Sequence, residues 1–94
     1  MCKFTVTIPE SWGSDTGGFI NAVYIEFLDN KGSFDGNIYA GNFFAPTPAG
    51  ASVGVEGYYN VSGREINVTI DKNTSSYDCA AIENYVKTNL PQPK

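Results

Sequence analysis

Ninety-four residues suffice for one small domain, and a hydrophobic fraction of 41% is enough for a single core. Charged residues make up 17% of the chain, too few for a highly charged disordered tail, and the net charge of −4 disfavours a grip on phosphate backbones. The chain has no histidine, which excludes a Ser-His-Asp triad, a Cys-His pair, a histidine-based zinc site and an imidazole proton shuttle.

Residues 3–8 alternate, with Phe4, Val6 and Ile8 on one side and Lys3, Thr5 and Thr7 on the other, so a half-buried strand is expected, ended by Pro9. Residues 10–18 read as a polar, glycine-rich loop around Trp12. The run 19–28 places Val23, Ile25 and Phe27 opposite Tyr24 and Glu26, and is read as a second strand. Asp29-Asn30-Lys31-Gly32 then turns the chain, with the glycine available for a left-handed position. A third strand is expected over 33–44, interrupted by Gly36 and Gly41, followed by a loop over 45–50 that contains Pro46 and Pro48. Residues 51–61 set Val53, Val55, Tyr59 and Val61 against Glu56, Tyr58 and Asn60. Ser62-Gly63 turns into a fifth strand, 64–70, with Ile66, Val68 and Ile70 inward.

The period changes after residue 74. Cys79, Ile82, Val86 and Leu90 form the stripe of an amphipathic helix over 75–90, with Ser75 as N-cap, Asp78 completing a capping box, and Pro91 and Pro93 as stops before a short tail, 91–94. The expected fold is α+β: a single domain, 1–94, in which a curved antiparallel sheet of about five strands carries this helix on its apolar face. A small closed barrel with an appended helix and a sandwich are the alternatives.

The rhythm of residues 29–39 and 57–63, with turn glycines beside aromatic residues, resembles the hairpins of lipocalin-like and avidin-like meanders. That resemblance implies a curved antiparallel barrel holding a small ligand, although the chain has fewer strands than those eight-stranded barrels. No family residue transfers with it.

Residues 29–36 fail as an EF-hand loop, because Lys31 and Phe34 occupy the third and sixth places, where an oxygen ligand and a glycine belong. The ten carboxylates show no catalytic pairing, and neither a metal nor a cofactor is expected. Cys2 and Cys79 are too far apart for a redox CxxC pair; they either join the first strand to the start of the helix as a disulfide or pack as two separate small hydrophobes. Sequons at Asn60, Asn67 and Asn73 matter only in a eukaryotic secretory route. No apolar leader and no membrane-length apolar run is visible, so the expectation is a soluble domain that is either cytoplasmic or exported with its leader removed.

The aromatic residues carry the functional expectation. Trp12 either faces solvent as a binding anchor or folds back to plug one end of the core. Tyr24, Tyr39, Phe43 and Tyr58 are read as one side of the sheet, an aromatic strip suited to a protein or small-molecule partner if that side is wet. The function expected is a non-enzymatic binding or interaction module. A lipocalin-like carrier and a self-assembling structural subunit are the alternatives.

Overall fold

The structure is a computed structural model that describes residues 2–47 and 50–93. Strand β1 (Cys2–Thr7) leads through a single 3₁₀ turn (Glu10–Trp12) into helix α1 (Thr16–Asp29). Strands β2 (Ser33–Gly36), β3 (Ala40–Thr47), β4 (Gly50–Ser62) and β5 (Glu65–Asn73) follow, and helix α2 (Cys79–Thr88) closes the chain. The five strands form one antiparallel sheet in the order β1-β5-β4-β3-β2. The sheet is open, so neither the closed barrel nor the barrel implied by the meander resemblance is formed.

Cross-strand partners share a face, and the register gathers the apolar side chains on one side. Phe4 lies opposite Val68, Val6 opposite Ile66, Tyr59 opposite Val68, and Phe34 opposite Phe43. With Ile8, Phe19, Ile20, Val55 and Ile70, most of these side chains make the buried core. The other face is wet: Thr5 donates to Asn67 Oδ1 and Asn67 Nδ2 donates to Asn60 Oδ1, both at 3.0 Å. A β-bulge between Glu56 and Gly57 sets Asp71 out of register and bends the long β4–β5 pair. The β4–β5 turn has Gly63 at φ 61°, a conformation that glycine adopts freely.

The expected strand over 19–28 is instead the body of α1. Asp15 caps it by accepting from the Gly18 N–H at 2.9 Å, and Phe19, Ile20, Val23 and Phe27 bring the helical period onto the core. Phe19 meets Trp12, and Phe27 meets Phe34 and Phe43, all edge to face.

The expected single strand over 33–44 is a hairpin. Asn37 Oδ1 accepts from the N–H groups of Tyr39 and Ala40, turning the chain and leaving Ile38 and Tyr39 in the loop. Tyr59 runs beneath this turn and donates its hydroxyl to Asn37 O at 2.7 Å. Gly36 and Gly41 make the space, since a Cβ on either would stand 2.8 or 2.7 Å from the Tyr59 hydroxyl.

The loop expected over 45–50 is shorter than its sequence suggests, because Ala45 and Pro46 stay paired with Val55 and Gly54; Pro48 and Ala49 lie outside the described residues. Rungs alternate along β3, and the Pro46 nitrogen falls on the side where β2 has already ended, so no hydrogen bond is lost there.

The last helix begins at Cys79 rather than at 75. Asp78 is its N-cap, accepting from the Ala81 N–H at 2.8 Å, while Ser75 belongs to a turn closed by Asn73. Ile82, Val86 and Leu90 pack against the core, and α2 lies beside β1. No helix among the described residues is long and apolar enough to cross a membrane.

Candidate interaction surface

The five aromatic residues singled out in the sequence lie in five different places. Trp12 is half-buried against Phe19, and its Nε1 donates to Pro91 O at 2.9 Å, so it ties the C-terminal segment to the core instead of standing free in solvent. Phe43 is on the core face under Phe27. Tyr58 is on the opposite, wet face of the sheet. Tyr24 is on α1 and Tyr39 at the β2–β3 loop, 69% exposed. The four rings expected as one strip therefore share no sheet face, because 19–28 is helical and 37–39 is a loop.

Apart from the separate tyrosines Tyr77 and Tyr85, the exposed apolar side chains include a group on one side of α1. Tyr24 (38%), Ile25 (48%) and Leu28 (49%) remain open to solvent on a helix whose inner side is already filled by Phe19, Ile20, Val23 and Phe27. Tyr24 meets Phe34 of β2 edge to face with centroids 5.8 Å apart. At the helix start, a Cβ on Gly17 would lie 3.7 Å from Ile38 Cγ2, which sets the exposed β2–β3 loop against the same side of α1. Residues 17, 21, 24 and 28 thus form a stripe along the β2 border. Ile25 and Leu28 were not singled out in the sequence, where Ile25 reads as an inward strand residue.

The wet face of the sheet holds a shallow open cleft lined by Ser33, Asp35, Asn42, Phe44, Glu56 and Asp71. Among the described residues, no group of acidic or cysteine side chains is arranged to hold a metal ion. Near this cleft, burial first and the Asp35 charge second push the Tyr59 hydroxyl above the ordinary tyrosine range. Tyr59 stacks on Phe34 at 5.1 Å and keeps its proton for the bond to Asn37 O, so it acts as a brace of the hairpin.

Two further clamps hold the framework of this surface. Cys2 and Cys79 are joined as a disulfide with Cα atoms 5.5 Å apart, linking β1 to the start of α2. The guanidinium of Arg64 donates to Ile8 O and Pro9 O, each at 2.8 Å, and to Gly13 O. It thereby fixes the segment leading from β1 to α1. Comparison with family models, curated proteins and solved structures finds no match.

Proposed function

We propose that this protein is a small non-enzymatic interaction module that meets a partner through the outer side of α1 and the adjoining β2–β3 loop. The observation that carries this reading is the exposure of Tyr24, Ile25 and Leu28 on one helix. The apolar residues of α1 extend beyond the side that lies against the sheet, and a stripe wider than its covering is a surface left for another contact. Completing the burial of three half-exposed side chains is worth roughly 1 kcal/mol each, enough to anchor a transient contact. The absence of histidine from the chain agrees with a role in binding rather than in proton transfer near neutrality.

The test is amide and side-chain NMR of the labelled protein against panels of peptides, saccharides and lipid vesicles. Shifts concentrated at Tyr24, Ile25, Leu28 and Tyr39 are expected. The double substitution Ile25→Asn and Leu28→Asn is expected to remove them at a cost of about 1–2 kcal/mol in stability, from the buried halves of the two side chains and the lower helix propensity of asparagine, with the protein still folded. Shifts centred on Tyr58, or aromatic environments unmoved by every probe, would overturn the reading.

A further inference from the structure

We propose that the free edge of β2, bordered by α1, takes up an extended peptide as an added strand, and that this peptide alternates apolar and basic side chains. The proposal rests on the interaction-module reading and names the class of partner for it.

β2 is the last strand of the sheet, and among the described residues it pairs only with β3. The Asn37 N–H donates to Ala40 O at 2.9 Å, and antiparallel rungs alternate, so Asp35 and Ser33 exchange bonds with Asn42 and Phe44. The N–H and C=O groups of Phe34 and Gly36 accordingly point away from the sheet. A strand laid along this edge would satisfy all four groups, the mode in which main-chain bonds supply affinity and alternate side chains supply selectivity. Four residues of strand span about 13 Å, so the edge accommodates a short segment.

The two sides of that segment meet different chemistry. On the core side lie Tyr24, in contact with Phe34, and Leu28 one turn further along the same helical stripe, both exposed. On the wet side lie Ser33 and Asp35. Between residues 16 and 36 the charged side chains are Glu26, Asp29 and Asp35 against the single cation Lys31. Apolar residues facing α1 and basic residues facing Asp35 therefore match the edge. A second copy of this chain matches it less well, because the two-fold register that satisfies all four groups of Phe34 and Gly36 sets Asp35 opposite Asp35, and like charges directly opposed are destabilising.

The experiment titrates the full-length labelled protein with an acetylated, amidated heptapeptide of alternating lysine and valine. Shifts confined to residues 33–36 with Tyr24 and Leu28, and at least about tenfold slower exchange of the Phe34 and Gly36 amides, are expected. Methylating the peptide nitrogens at alternate positions is expected to abolish binding for one set and spare it for the other. Asp35→Lys is expected to weaken binding about two- to fivefold, the value of one cross-strand charge pair. Equal binding of both methylated sets, equal binding of a peptide with glutamate in place of lysine, or no shift at millimolar peptide each overturns the proposal. Shifts at Tyr24 and Leu28 without protection of the Phe34 and Gly36 amides overturn strand addition while leaving the interaction-module reading in place.

Discussion

Removing the disulfide is the perturbation whose size follows most directly from the structure. Cys2 and Cys79 are separated by 77 positions, so the bond closes most of the chain into one loop. Loop-closure entropy for a ring of that length corresponds to about 4.5 kcal/mol at 25 °C, a ceiling set by restriction of the unfolded chain. The native side lowers the realised value. α2 has no fully buried residue and rests on the half-buried Ile82 and Val86, with Leu90 beyond its end, so the reduced protein regains some freedom by loosening α2. A loss between about 2 and 4.5 kcal/mol is expected for Cys2→Ser with Cys79→Ser, a large share of the stability of a domain this small. At the usual 4–8 °C per kcal/mol, that lowers Tm by roughly 10–30 °C. Urea unfolding of the oxidised protein and of the double variant measures the difference. Hydrogen exchange locates it, with amides of α2 opening first in the variant and those of β4 and β5 last. A urea midpoint that does not move, or intact masses that differ by no hydrogens on reduction, would refute the reasoning.

Three further outcomes follow from single side chains. Arg64→Ala leaves the carbonyls of Ile8, Pro9 and Gly13 without their charged donor and is expected to cost about 1.5–3 kcal/mol in urea unfolding; Arg64→Lys recovers only part, since the single ammonium nitrogen cannot occupy the positions of both guanidinium nitrogens. Tyr59 has its hydroxyl raised by burial and by Asp35, so its stabilising effect is complete below the unfolded-state value near 10 and is lost as pH rises through the higher folded-state value; wild-type stability is expected to fall above about pH 10 more steeply than that of Tyr59→Phe, which itself costs about 1 kcal/mol at pH 7. Lys31 holds φ 63° as the left-handed residue after α1, so Lys31→Gly is expected to raise stability by about 0.5–1 kcal/mol, whereas Gly32→Ala lowers it because its Cβ would stand 2.5 Å from Phe44 O; both are read from the urea midpoint.

The strands with one polar face were legible in the sequence, because period-two alternation survives only where one side of a strand is wet. β1, β4 and β5 have that property, and their inward residues Phe4, Val6, Tyr59 and Ile66 are buried as their spacing implies. The segment 19–28 is apolar in nearly every direction, so its alternating residues 23, 25 and 27 mimic a strand by coincidence. Length and the Asp15 cap were the signals for a helix, since runs of this length are ordinarily too long for one strand. The hairpin at 37–39 was hidden for another reason. Asn37 turns the chain through its own side chain, whereas Gly36 and Gly41 read as kinks in one strand although their role is to admit Tyr59.

The exposed surface depends on those same two segments, which is why it was not legible as a site. Treating 33–44 as one strand puts Phe34 and Phe43 on opposite faces, and the intervening loop makes them partners on one. On α1, each residue advances by about 100°, so with Phe19 at zero, Val23, Phe27 and Ile20 fall at about 40°, 80° and 100°. Tyr24, Leu28 and Ile25 fall at about 140°, 180° and 240° on the same circle. An open sheet covers only one side of a helix, and once the first group is against the core, the second stays half in water, with Tyr24 resting against the edge of Phe34. The outer side of α1, apolar except for Asn21, is thus a consequence of winding a largely apolar segment as a helix over an open sheet; an occupant of that side displaces water from the exposed halves of Tyr24, Ile25 and Leu28.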